Sequence, residues 1–294
     1  MRKQLICLIT GLCAVAVLSA GCASKWSLAV EKAAEPPQWR DEANQPRAVH
    51  LEAIKGFREN GASLRNILKY VVFGRSDESD MLIRPVAVVV GRDNRIAIAD
   101  AGCSCVHLYI PSDQSYKKIY RAGLEELRTP VNVAFDDESR LYVSDSSRGA
   151  IDAFDQAGQY LASIKRAGSD ALRRPTGLSF FPDQRILYAL DTTANKMYAF
   201  GPERGLLFSF GEAGEQEGRF NFPTHLFTSP DGSLYVTDAM NFRVQVFGSR
   251  GAFRSAFGHH GNGSGDFAMP KGIAVDRTGV IYVVDTLFDN IQLF

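Results

Sequence analysis

Three residue types in this sequence could do chemistry: cysteine, histidine and aspartate. Cys103-Ser104-Cys105 places two thiols two residues apart, in a turn that follows Asp100. In an oxidising compartment such a pair is either a tight, strained disulfide or two free thiols, and both forms stay open. The imidazoles are those of His50, His107, His225, His259 and His260. A zinc site would need several of them, from separate segments, to converge on one point. His259 and His260 sit in a glycine-rich stretch and read as solvated. Asp100, Asp145, Asp191, Asp238 and Asp285 recur along the chain. An aspartate in every unit is better explained by a fold role, accepting the backbone N–H groups of its own turn, than by one active site. The same reading covers Asn195, Asn241 and Asn290.

Several chemistries lack their motif. There is no Cys-x-x-Cys-His for covalent haem, no Gly-x-Ser-x-Gly, no Walker phosphate loop and no His-Glu-x-x-His. Lys plus Arg equals Asp plus Glu at 33 each, and the basic residues form no stripe, so nucleic acid is not expected as a partner. No metal and no cofactor are expected.

The elements that must position these residues begin after an export segment. Arg2 and Lys3 precede an apolar run from Leu5 to Ala20, and small residues close it at Leu18-Ser19-Ala20-Gly21-Cys22. That order is a secretory signal, with an apolar run too short to span a bilayer, which takes roughly 20 residues. Cys22 after Ala-Gly resembles the bacterial lipobox, although leucine stands one place further upstream than usual. The resemblance implies cleavage after residue 21 and acylation of the Cys22 thiol; the alternative is a plain secretory signal with an incidental cysteine. By resemblance to the lipoprotein sorting pattern of Gram-negative bacteria, Ala23 instead of aspartate favours the outer membrane over the inner. Residues 22–48 carry Pro36-Pro37 and Pro46, lack a clear period and read as a tether, with a short helix around Leu28–Ala34.

Residues 49–294 are repetitive. Prolines open units at Pro85, Pro130, Pro175, Pro223 and Pro270, at spacings of 45, 45, 48 and 47 residues. Each unit continues with an apolar run, a polar turn, a second run ending in the aspartate, another turn, an alternating run such as Arg243-Val244-Gln245-Val246-Phe247, and a fourth run such as Phe253–Phe257. Period-2 alternation and regular turns predict four short strands per unit, and units of this length and strand count are propeller blades. A blade cannot cover both of its faces, so neighbours must shield one another. The connecting stretches Phe210–Pro223 and Phe257–Pro270 place Phe-Gly, Gly, Gly, Phe and Pro at identical offsets.

From about Arg84 to Phe294 the chain resembles the NHL-repeat β-propellers. The carrying motifs are Pro270-Lys271-Gly272-Ile273-Ala274-Val275-Asp276, Ile281-Tyr282-Val283-Val284-Asp285 and Asn241-Phe242-Arg243-Val244-Gln245-Val246-Phe247. The resemblance is to bacterial NHL lipoproteins with six blades. Five repeats are visible here, and the fifth stops on its third strand at Phe294. Either the chain is truncated or closure is unusual, with His50–Ile54 and Lys69–Phe73 available as further strands.

An amidating lyase related to this family holds a central zinc with histidines. Only His225 among the five lies near the start of an innermost strand here, so the resemblance does not carry a zinc site over. The polar candidates at the channel mouth are Asn132, Thr176, His225 and Lys271. The expected function is a non-enzymatic, lipid-anchored scaffold in the bacterial cell envelope, at an outer membrane and facing the periplasm or the cell surface. Its partners would be the membrane and an envelope protein, with a multihaem cytochrome assembly suggested by family analogy alone. The alternative is a hydrolase- or lyase-like enzyme, or a small-ligand binder, at the channel mouth.

Overall fold

A computed structural model describes residues 25–32, 38–40, 46–49, 52–60 and 80–294. Cys22, the export segment and the Lys69–Phe73 stretch lie outside the described residues. The chain divides into two compact units. One runs through Met81 and includes Pro111–Tyr116; the other comprises Leu82–Ile110 and Lys117–Phe294.

In the first unit, strands β1 (Lys25–Lys32) and β4 (Glu52–Asn60) pair antiparallel, and β2 (Gln38–Arg40) pairs with β3 (Pro46–Val49). Strand β1 replaces the short helix expected from Leu28 onward; residues 33 and 34 are not described. The Ala-Glu-Lys composition favours a helix locally. Distant pairing overrides it: Leu28 sits opposite Phe57, and the Trp26 N–H donates to the Gln114 carbonyl at 2.7 Å. The rings of Trp26 and Phe57 both pack on Tyr116, with centroids 4.6 and 4.5 Å away. The strand expected at His50–Ile54 is met in part by β4, which begins at Glu52 and runs on to Asn60; residues 50 and 51 lie outside the described residues.

The second unit carries the repeats. The first blade is β5 (Pro85–Val90), β6 (Ile96–Asp100), β7 (Cys105–Ile110) and β8 (Ser115–Ile119). A small hairpin follows, β9 (Arg121–Ala122) with β10 (Glu125–Glu126). The second blade is β11 (Pro130–Phe135), β12 (Leu141–Asp145), β13 (Ala150–Phe154) and β14 (Tyr160–Ile164). Another hairpin, β15 (Arg166–Ala167) with β16 (Asp170–Ala171), leads to the third blade: β17 (Pro175–Phe181), β18 (Ile186–Asp191), β19 (Lys196–Phe200) and β20 (Leu206–Phe210). The fourth blade is β21 (Pro223–Thr228), β22 (Leu234–Asp238), β23 (Arg243–Phe247) and β24 (Phe253–Phe257). The fifth has three strands, β25 (Pro270–Val275), β26 (Ile281–Asp285) and β27 (Asn290–Leu293). Sheets are antiparallel in simple meander order, and the innermost strands β5, β11, β17, β21 and β25 lie side by side in that sequence. The protein is an all-β propeller.

Alternation explains how one blade serves two neighbours. In β12, Leu141 and Val143 pack with Leu108 and Val106 of the first blade, whereas Tyr142 packs with Leu178 and Tyr198 of the third. The same device joins third to fourth through Tyr188, Leu190, Leu226 and Phe247, and fourth to fifth through Val244 and Val283. Each core is therefore an interface between blades. A fully buried apolar side chain there contributes about 1.5–3 kcal/mol.

The repeated glycine connectors have a steric cause. Gly211 and Gly258 both adopt φ of +89°, and a Cβ on either would stand 2.4 Å from the ring of Phe220 or Phe267. Those two rings are fully buried, and their backbones bridge to Ala213 and His260. The first two connectors use a different repeat, Arg121-Ala122-Gly123 and Arg166-Ala167-Gly168, each followed by a buried leucine, Leu127 or Leu172. That leucine's N–H closes the hairpin onto Tyr120 or Lys165.

Candidate functional site

Every second-strand aspartate is fully buried. Asp191 accepts the N–H groups of Arg173, Arg174 and Ala194, and Asp145 those of Arg128, Thr129 and Arg148. Asp285 accepts those of Ala268, Met269 and Leu287. Each carboxylate thus ties its own turn to the segment just before the blade's opening proline. In Asp238 burial raises the carboxyl, against the Asn221 N–H and the side chains of Asn241 and Arg243. In Asp100 burial also works upward, but the N–H groups of Ile83, Arg84 and Gly102 hold it below the ordinary carboxylate range. Asn241 donates to Asp238 and to the Gly214 carbonyl, and Asn195 accepts the Phe222 N–H.

The channel-mouth candidates lie on the innermost strands and are linked by hydroxyls. Ser144 donates to the Thr176 carbonyl at 2.8 Å and approaches that of Asn132 at 3.5 Å. The hydroxyls of Thr176 and Thr192 are 2.7 Å apart, and Thr192 donates to the Pro223 carbonyl. Thr237 donates to the Lys271 carbonyl at 2.8 Å and accepts the His225 N–H at 3.0 Å. Thus Asn132 and Thr176 are joined through Ser144, and His225 and Lys271 through Thr237, largely by main-chain groups. The side chain of Asn132 turns back to the Val133 N–H at 2.7 Å. His225 Nδ1 is buried and has no hydrogen-bond partner among the described residues. Burial, with the Lys271 charge, pushes the His225 imidazole down to about 4, so it is neutral at pH 7.

A second cluster joins residues considered separately in the sequence. Cys103 and Cys105 form a disulfide. His107 Nε2 lies 3.4 Å from Cys105 Sγ, 3.8 Å from Cys103 Sγ and 3.6 Å from the Asp100 carboxylate. Cys105, His107 and Asp100 are fully buried, and Cys103 is half-buried. Burial, with the charge of Lys118, lowers the His107 imidazole to about 4, against the pull of Asp100. Among the described residues, Cys103, Cys105 and His107 are the one group of three or more His, Cys, Asp or Glu whose ligating atoms are close enough together for a metal ion, which the sulfurs could hold only with the bridge reduced. The signal was available in the sequence: on a strand beginning at Cys105, residues 105 and 107 project from the same side.

A family model described as a 6-bladed beta-propeller, DUF5128, matches residues 225–292. No curated protein matches the chain. Solved structures with a similar fold include virginiamycin B lyase from Staphylococcus aureus, 13% identical, with a TM-score of 0.56 over 72% of this chain and 69% of that one. U3-55K is 16% identical, with a TM-score of 0.57 over 75% of this chain and 62% of that one. A gluconolactonase from Xanthomonas campestris is 16% identical, with a TM-score of 0.52 over 70% of this chain and 72% of that one. At these identities the likeness is one of fold.

Proposed function

We propose that this chain is a lipid-anchored scaffold, built of NHL-type blades, that docks a partner protein in the bacterial cell envelope. The observation that carries the reading is an apolar sheet face. On β5, Val86, Val88 and Val90 are 43%, 64% and 60% exposed, while the alternate residues Ala87 and Val89 pack inward. Single exposed apolar residues are ordinary, but apolar residues grouped along one strand face favour a protein-binding surface.

Anchoring rests on the run Leu18-Ser19-Ala20-Gly21-Cys22, with Cys22 as the acylated residue and Ala23 favouring the outer membrane. The Cys103–Cys105 disulfide supports an exported, oxidising location, periplasmic or at the cell surface. A multihaem cytochrome assembly is the partner that the family resemblance suggests. The test is affinity capture from detergent-solubilised membranes: one protein retained in stoichiometric amount supports docking, and recovery of the chain alone contradicts it.

A second reading, a small-ligand or enzymatic site at the channel mouth, is favoured by the buried, unpartnered Nδ1 of His225 beside the Lys271 charge. The fold likeness to a lyase and a gluconolactonase is compatible with it. Stoichiometric zinc or calcium in the purified protein, lost in His225→Gln, would move the assignment there.

A further inference from the structure

In the second, fourth and fifth blades some of the residues three, five and seven places beyond the second-strand aspartate make polar contacts, whereas in the third these places hold Ala194, Lys196 and Tyr198, and Lys196 pairs with Asp170. In the second blade the first and last of the three, Arg148 and Asp152, form a buried ion pair. In the fourth, Asn241, Arg243 and Gln245 all bond Asp238. In the fifth, Gln292 bonds the Asp266 carbonyl and accepts the Gly265 N–H. In the first blade these three places hold Cys103, Cys105 and His107. Where the second, fourth and fifth blades use amides or an ion pair at some of these places, the first blade carries two sulfurs and an imidazole. A bridge between residues two apart closes a very short loop, and disulfides constrain the unfolded chain least when the loop is short. The bridge is therefore a poor staple.

We infer that Cys103–Cys105 is a thiol–disulfide exchange site for dithiols, with Cys103 the sulfur attacked and His107 beside the sulfur that leaves. Cys103 is half-buried and Cys105 fully buried, which sets the direction of attack. An incoming thiolate bonds to Cys103 Sγ, the S–S bond breaks, and its electron pair stays on Cys105 Sγ. A proton on His107 Nε2, 3.4 Å from that sulfur, is placed to hydrogen-bond the departing thiolate. Stabilising the leaving thiolate speeds exchange. The second thiol of the reductant then attacks the external sulfur of the mixed disulfide and releases Cys103. The external dithiol is oxidised to its disulfide, and the protein pair gains two electrons and two protons.

The experiment follows two single-cysteine variants of the folded protein with oxidised glutathione, and the intact pair with dithiothreitol. Cys105→Ser, which retains Cys103, is expected to form the mixed disulfide at least about ten-fold faster than Cys103→Ser, with the difference lost in urea. Dithiothreitol is expected to reduce the wild-type bridge without unfolding the protein. His107→Gln should slow that reduction by about ten-fold, yet leave the rate at which Cys103 forms its mixed disulfide in the Cys105→Ser background unchanged, with circular dichroism unaltered. Equal reactivity of the two folded variants, a wild-type bridge that dithiothreitol reduces only after unfolding, or two unbridged thiols purified with one bound metal ion would each overturn the assignment.

Discussion

The Thr237 hydroxyl of the fourth blade donates to the Lys271 carbonyl on the innermost strand of the fifth, at 2.8 Å. Ser144 makes the same bond to Thr176 from the second blade to the third, and Thr192 makes it to Pro223 from the third to the fourth. These bonds clasp neighbours where the apolar interfaces meet the inner strands. Thr237→Val keeps the shape, removes the donor and strands the His225 N–H that the hydroxyl also accepts. A loss of about 1–3 kcal/mol is expected in urea unfolding. No loss would show that the clasp adds nothing to burial.

Gly258→Ala and Gly211→Ala should each lower stability by more than about 1 kcal/mol, since both φ and space are wrong for a Cβ. Gly279→Ala separates the two causes, because Gly279 has a φ of +92° but open space around it. The first two variants should melt well below the third. Equal melting temperatures would remove the steric role of Phe220 and Phe267.

Much of this was legible in the sequence, because a blade writes its strands in period 2 and its turns in Gly, Asp and Asn. The prolines, the aspartates and the paired Phe-Gly connectors all mark repeating backbone demands. Two features were less legible. The partner of β1 begins at Glu52, beyond the reach of any local pattern, so the stretch around Leu28–Ala34 reads as helix by composition. The Cys103, Cys105 and His107 cluster spans a turn and the strand after it, so no contiguous motif marks it, and only the period-2 alternation of β7 sets His107 on the same side as Cys105.

Acid should destabilise the protein through two histidines. His107 and His225 are held neutral to about 4, against an unfolded value near 6.5. Below pH 6.5 the unfolded chain binds more protons, so stability is full above that pH and falls as pH drops towards 4. Each group contributes up to roughly 3 kcal/mol over that window. Urea unfolding at pH 7.5 and pH 5 should show the loss, and His225→Gln should flatten it. An unchanged slope in the variant would contradict the burial argument for His225.

Anchoring is checked by Cys22→Ser, which should release the protein from membranes into the soluble fraction. A variant that stays membrane-bound and lipidated would show that Cys22 is not the acylated residue.

The docking surface is tested most directly by capturing the membrane partner with wild-type protein and with Val88→Asp, then mapping hydrogen exchange on the wild-type complex. A charge at position 88 should abolish capture while the melting temperature holds, and Pro85–Val90 should exchange more slowly in the complex. Undiminished capture by Val88→Asp, with protection confined to the strand ends around Thr176 and His225, would contradict the account.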